Sequence, residues 1–458
     1  MTATARFADF ITATTFESIP KQVVAAAKKF FLDGLGVSLG GCGEEVSRNI
    51  SSFVRELGGE PLATVIGSGF KTFPHHAALA NGTIAHALDY DDVALDWVGH
   101  PTAPVLPAVL ALAEAHHRSG KEAVAAYIVG VEVESKLGNA IGMGHYSLGW
   151  HATATMGTLG AAAASANILR LDRHKTQMAL GIAASLLGGL RQNFGTMTKP
   201  LHAGSAARNG VVAAMLAEKG FTADEGILEA PLGLAHVLGA EGDLDEMAAA
   251  LGRPFHFVSP GIGLKLYPCC AETHRCIDAI LYLIREHNLR PEQVEAVESI
   301  TCDLAPQILI HSRPRTPLEG KFSMEFCMAI ALLDGEVGLE QFVPEKLADP
   351  RCQELVSRVS YIFPEEMRGV AGLTLPQAVR VRLKDGREYL RQVAHARGEP
   401  ENPPGDDDVS AKFRQCAGSV LPAEQVEQCL QWALALEELD DIARLMEVAA
   451  ASNMARAR

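Results

Sequence analysis

A succession of helical segments fills the first 250 residues, and most carry alanine or glycine on more than one face. This feature constrains the fold most. Small residues let helix backbones approach closely, so segments of this kind pack into a compact all-helical body. KQVVAAAKKFFLDGLGVSLGG follows Pro20 and ends on glycines, the usual order of start and stop signals. VSRNISSFVRELGG, HHAALANGTIAHALDY, VLPAVLALAEAHHRSG, EAVAAYIVGVEVESKLGNAIG and ATMGTLGAAAASANILRL follow. DRHKTQMALGIAASLLGGL opens on an aspartate cap, and SAARNGVVAAMLAEKG closes on Gly220.

The pattern changes near Pro254. THRCIDAILYLIREHNL and FSMEFCMAIALLDG read as helices, and VEAVESITCDL alternates like a strand. AVRVRL and REYLRQVA flank Lys384-Asp385-Gly386-Arg387, a signal for a two-residue hairpin turn. The polar stretch NPPGDDDVS, residues 402–410, reads as a boundary before the last helices, PAEQVEQCLQWALALEEL and DDIARLMEVAAA. A mixed α+β domain therefore follows a helical one, and the last helices either return to the helical body or cap the small domain.

A net charge of −15 argues against nucleic acid or an anionic membrane as partner, since both need a basic face. It leaves room for a small anion in a local positive pocket. The uncharged run from Leu137 to Leu169 is too rich in Gly, His, Asn, Ser and Thr for a membrane span. The N-terminal segment carries Asp9 and Glu17 and lacks the order of a targeting peptide, so a cytoplasmic protein is expected. The nine scattered cysteines suggest reduced thiols. HExxH and GxxxxGK[ST] are absent from the sequence.

Four stretches carry chemistry. In NGTIAHALDYDDVALDWVGHP, His86 and Asp89 are three apart at a helix end and are expected on one face, with Asp91, Asp92 and His100 following. A catalytic Asp–His group, a Zn, Mn or Fe site built on His86, Asp91, Asp92 and His100, and plain helix termination all fit. In GMGHYSLGWHATATMGTLG, glycines present His145, Tyr146 and His151, with His151 at a helix N-terminus where an anion is favoured. It is not a dinucleotide fingerprint. In GTMTKPLHAG, Lys199 and His202 stand among apolar residues with no acidic residue in the ten before Lys199. A helix is expected to start near His202–Ser205, and Arg191 lies eight residues upstream of Lys199. Together these make a carboxylate or phosphate cradle. In GIGLKLYPCCAETHRC, Lys265 precedes Tyr267, and His274 opens a helix. A solvated lysine would be the ordinary reading for Lys199 or Lys265 alone.

In combination, ALDYDDV, GHPTAPVLPAVLALAE, GWHATATMGTLGAAAA, NFGTMTKPLHAGSAARNG, LKLYP and EGKFSMEFCMAIALLDGE resemble the MmgE/PrpD family over about residues 7–440. The resemblance implies a mainly α protein: a large all-helical domain, residues 1–267 plus 401–458, and a smaller α+β lid domain, 268–400, inserted before the C-terminal helices. It also implies a homodimer without metal or organic cofactor, and an active site between the domains. Matched by motif, catalytic positions fall on Asp89, His100, His151, Lys199 and Lys265. Tyr146, Arg191, His202 and His274 are added from the residue reading as substrate contacts.

The family's reactions move a proton next to a carboxylate, so a small di- or tricarboxylate is the expected substrate. A dehydratase of the 2-methylcitrate type is the first reading, and an epimerase of the iminodisuccinate type is the alternative. Decarboxylation of cis-aconitate ranks lower. Val93 and Phe326 stand where that branch carries threonine and tyrosine, and both changes remove a hydroxyl. A non-catalytic carboxylate binder also ranks lower.

Overall fold

Caps and proline set where the helices begin. In the computed structural model, which describes residues 1–369 and 375–450, Lys21–Gly41 starts directly after Pro20. Gly120–Ile141 starts on a capping box of Ser119 and Glu122, and Arg173–Ala184 on the Asp172 carboxylate, which accepts from the Lys175 N–H. The protein is mainly α. Among the described residues no helix is long and apolar enough to cross a membrane, and no disulfide joins any two cysteines.

The chain divides into two compact units. The first combines Met1–Gln192, Lys199–Leu264 and the chain from Gly405 onward. Its centre is a stack of Pro74–Ala85, Thr102–Ala115, Gly120–Ile141 and Ala152–Ile168. Small residues set the spacing. A Cβ on Gly130 would lie 2.8 Å from the Gly160 carbonyl oxygen, and one on Gly82 would lie 2.8 Å from the Gly204 Cα. The second pair matters for the site, because it lets Thr198–Glu218 cross Pro74–Ala85 at backbone contact.

The C-terminal segment returns to this unit. NPPGDDDVS is not all boundary, because a helix, Asp406–Ala417, starts inside it with three aspartates in its first turn. Those charges favour a helix N-terminus. The helix lies along Lys21–Gly41, with Phe413 over Gly36 and Cys416 over Gly40. The buried Lys412 ammonium pairs with Asp33 at 2.7 Å and donates to the Tyr90 carbonyl at 2.7 Å.

The second unit holds Asn193–Thr198 and Lys265–Pro404. Its four-stranded sheet has β1 (Val294–Ile300), β2 (Val359–Ile362), β3 (Gln377–Leu383) and β4 (Glu388–Val393), in the order β2-β1-β3-β4. β1 and β2 are parallel, and the other pairs are antiparallel. His274–His287 and Met324–Asp334 share a core with the sheet, including Ile277, Ile280, Met328, Val379 and Val381. The β3–β4 turn is longer than the expected two residues. The Leu383 N–H donates to the Arg387 carbonyl, leaving Lys384, Asp385 and Gly386 outside the ladder. Gly386 takes φ 88°, as a three-residue hairpin with a left-handed glycine requires.

Candidate active site

Pro74–Ala85 ends one residue before His86. Asp89 then takes the left-handed region, φ 51°, which a short polar side chain tolerates better than most. The chain therefore leaves the helix, and His86 and Asp89 do not share a helical face as the i, i+3 spacing suggests. The partner of His86 is Asp91, whose two carboxylate oxygens lie 2.8 and 2.9 Å from Nδ1.

Lys199 comes from the crossing helix. That helix starts at Thr198, four residues earlier than expected, so Lys199 and His202 sit inside its first turns, three apart on one face. Pro200 is tolerated there because a first-turn N–H has no intrahelical acceptor. Nor does the cation lack a carboxylate. Lys199 Nζ donates to Asp89 Oδ1 at 2.6 Å and to His86 Nε2 at 2.8 Å, and all three residues are buried.

His100 and His151 complete the group. Their rings lie 4.6 and 6.0 Å from that of His86. His100 Nδ1 faces the Asp92 carbonyl at 2.7 Å, and a carbonyl only accepts, so this nitrogen carries the hydrogen. Its backbone N–H donates to Thr153 Oγ1 at 3.1 Å. His151 is the N-cap residue of Ala152–Ile168, as its position in the sequence suggests, and its Nδ1 lies 3.1 Å from His202 Nδ1. The His151 N–H donates to the Gly189 carbonyl at 3.0 Å. A Cβ on Gly189 would lie 3.2 Å from the His202 ring, so glycine permits this approach.

The structure thus brings together Asp89, His100, His151, Lys199 and His202. It uses Arg191 and Tyr146 on each other: the guanidinium covers the Tyr146 ring at 3.9 Å and donates to the Tyr146 carbonyl at 2.8 Å. Lys265 and His274 belong to the second unit. Both are buried, and His274 Nε2 donates to the Cys269 carbonyl at 3.1 Å.

Burial and the Lys199 charge set the protonation states. His202 is lowered to about 4 by burial and then by Lys199. His86 is lowered to about 4 by burial, which with Lys199 outweighs the pull of Asp91. His151 is held well below its ordinary value by burial, then by Lys199 and the neighbouring imidazoles. Burial alone would raise Asp91, but His86 and His100 hold it well below the usual carboxylate range. The site at neutral pH therefore has three neutral imidazoles, an ionised Asp91 and the Lys199–Asp89 pair. Neutral imidazoles can accept protons, and fixed cationic donors can hold carboxylates.

A second tier lies behind. Asp92 accepts from the Thr102 N–H at 3.0 Å, and its other oxygen meets Thr102 Oγ1 at 2.5 Å, which in turn meets the Tyr127 hydroxyl. Burial pushes Asp92 up to about 8. His86 and Asp91 were legible as a polar cluster, but their pairing was not, because it depends on the left-handed turn at Asp89. Lys412, Thr102 and Tyr127 had no signal beyond being polar residues in apolar segments.

His86, Asp89, Asp91 and His100 offer donor atoms that all lie within 4.8 Å of one another, a set able to hold a metal ion. Two of the four, His86 and Asp89, meet the Lys199 ammonium.

Known proteins share this chain's pattern over most of its length. The MmgE/PrpD N-terminal domain profile matches residues 5–247, and the MmgE/PrpD C-terminal domain profile matches residues 267–438. The cis-aconitate decarboxylase of Mus musculus is 28% identical over 458 residues, covering 96% of this chain and 91% of the mouse protein. The cis-aconitate decarboxylase of Aspergillus terreus is 29% identical over 460 residues, covering 94% of this chain and 92% of the fungal protein. The mitochondrial 2-methylcitrate dehydratase of Yarrowia lipolytica is 24% identical over 446 residues, covering 88% of this chain and 82% of that enzyme.

Proposed function

This chain belongs to the MmgE/PrpD family, and on that premise we propose that it is a lyase acting on a small di- or tricarboxylate by moving a proton at a carbon beside a carboxylate. One observation carries the reading: a buried ammonium and several neutral imidazoles stand within hydrogen-bond or ring contact of one another. Such a set suits an anionic substrate whose reaction builds negative charge on carbon. Asp89, His100, His151, Lys199 and Lys265 are the catalytic groups of this proposal. His202 and His274 contact substrate, and Arg191 with Tyr146 shape the loop beside His151. The protein acts without metal or organic cofactor, as a cytoplasmic homodimer.

The relatives' names reorder the reactions. Decarboxylation of cis-aconitate, ranked low from Val93 and Phe326, moves ahead of dehydration of 2-methylcitrate. In decarboxylation the bond from carbon to the departing CO₂ breaks, its electron pair stays on the substrate, and a protonated imidazole delivers the proton. The substrate's own carboxylates raise the imidazole pKa and so load that proton. In dehydration a neutral imidazole takes the proton, and the hydroxyl leaves as water after protonation by a second group. Dehydration keeps a place through two side chains. Val93 is bridged through its backbone to Gly263, and Phe326 packs on Phe342 in an apolar core; neither offers a hydroxyl. Epimerisation would use the same groups on opposite faces of one carbon.

Proton NMR in D₂O separates these. Cis-aconitate, 2-methylcitrate, citrate and iminodisuccinate are each incubated with the protein and with Lys199→Ala, with and without EDTA. Loss of CO₂ with deuterium incorporation marks a decarboxylase, alkene formation or hydration a dehydratase, and exchange without net product an epimerase. Silence with all four acids, or equal rates with Lys199→Ala, overturns the reading. Loss of activity in EDTA overturns its metal-free form.

A further inference from the structure

We propose that Asp91 and His86 act as a positioning pair for Lys199: a carboxylate–imidazole arm that fixes where the ammonium sits and where its hydrogens point. The inference rests on Lys199 meeting the substrate. It adds two residues to which the family resemblance assigns no role.

The geometry leaves one arrangement. His86 Nδ1 lies 2.8 and 2.9 Å from the two oxygens of Asp91. An ionised carboxylate has no hydrogen to give, so Nδ1 carries the hydrogen and Nε2 presents its lone pair. Nε2 faces Lys199 Nζ at 2.8 Å, the direction an ammonium needs. A second ammonium hydrogen goes to Asp89 at 2.6 Å. Were the imidazole in its other tautomer, an N–H would face an N–H and the lysine would be pushed away. Asp91 thus holds Lys199 through one neutral ring, as a carboxylate holds a metal-bound histidine in a chosen tautomer.

The backbone shows that this is a built arrangement. The left-handed Asp89 turns the chain so that the Asp89 carboxylate reaches Lys199 and the Asp91 carboxylate returns to His86. An L residue takes that region at a cost. Asp91 also lies 3.4 Å from His100 Nδ1, so one carboxylate touches both rings of the 4.6 Å pair. The ionisable groups facing His86 are Asp91, Lys199, His100 and His151.

The test uses the full-length protein with ¹⁵N-labelled histidine. His86 is assigned by the signal lost in His86→Gln. The expected result is a single Nδ1–H tautomer for His86 that persists from pH 6 to 9, and a mixture in Asp91→Asn. A mixed or Nε2–H tautomer in the unmodified protein overturns the pair whatever the variants' rates. With the acid that is turned over, His86→Leu should lower kcat about a hundredfold, and Asp91→Asn about tenfold or more. His86→Gln, whose amide oxygen still accepts from Lys199, should recover at least tenfold over His86→Leu. Equal impairment in His86→Leu and His86→Gln means a packing role and also overturns the pair. Normal turnover in Lys199→Ala defeats the catalytic reading instead, and the tautomer measurement then decides the pair by itself.

Discussion

Asp92→Asn should make the protein more stable, by an amount that grows with pH. Asp92 is buried, and burial, with the charges of Asp91 and Asp33, pushes its carboxyl to about 8 against an ordinary 3.8. The bonds from Thr102 pull the other way and lose. A carboxyl with a raised folded-state pKa contributes stability that is complete below the unfolded value and is lost as pH rises through the folded one. Each pH unit above 3.8 costs about 1.4 kcal/mol until the folded group itself ionises. At pH 7 this comes to about 4 kcal/mol, and half of it would be easily measured. Asparagine keeps the contacts: its carbonyl accepts the Thr102 N–H and its NH₂ donates to Thr102 Oγ1, with no proton to lose. Urea denaturation of both proteins at pH 5, 6, 7 and 8 is the assay, read as the difference between them. The gap should be about 1–2 kcal/mol at pH 5 and reach about 2–4 kcal/mol in favour of asparagine at pH 7. A less stable variant with a gap independent of pH would mean an ionised Asp92 and refute the reasoning.

Three further outcomes are expected. Lys412→Met should cost about 3–5 kcal/mol by thermal or urea unfolding, because it strands the Asp33 carboxyl in the interior, and adding Asp33→Asn should restore most of the loss. In Gly204→Ala a Cβ would fall 2.2 Å from both the Leu79 carbonyl oxygen and Thr83 Oγ1; the helices must part, costing about 1–3 kcal/mol in a melt and lowering turnover at least tenfold as Lys199 leaves His86. Lys199→Ala removes the ammonium from a donor set within 4.8 Å, so by calorimetry it should bind Zn²⁺ or Ni²⁺ at least tenfold more tightly than the parent; equal binding would show that the ammonium does not hold the cation's place.

What could be read in advance followed chain-local physics. The Asp172 cap, the helix stop at Gly142 and the strand at Val294–Ile300 depend on residues a few positions apart. So does the place of His151 before a helix. The misreadings share a different cause. Lys199 looked unpartnered because its carboxylate lies 110 residues away in sequence, and only the glycine crossing brings it near. The expected helix start near His202–Ser205 falls four residues late, because the first-turn Pro200 costs no hydrogen bond. The i, i+3 pairing of His86 and Asp89 assumed that the helix continued, and one backbone dihedral at Asp89 removed it. Within residues 402–410 the aspartates read as a solvated boundary, although acids are what a helix start favours.

The union of Lys412 with Asp33 also imposes an order of events on synthesis. Asp33 leaves the ribosome early, and its cationic partner follows only after residues 265–404, roughly 140 of them, have been made. At about 5–20 residues per second, the roughly 380 residues from Asp33 to Lys412 take about 20–75 seconds. During that time, the groove on Lys21–Gly41 that Phe413 and Cys416 will cover stays open, and its acid has no counter-charge from Lys412. The nascent helical half is therefore a client for whatever shields apolar surface at the tunnel exit, and a premature stop anywhere before Lys412 leaves a chain that cannot complete its first unit.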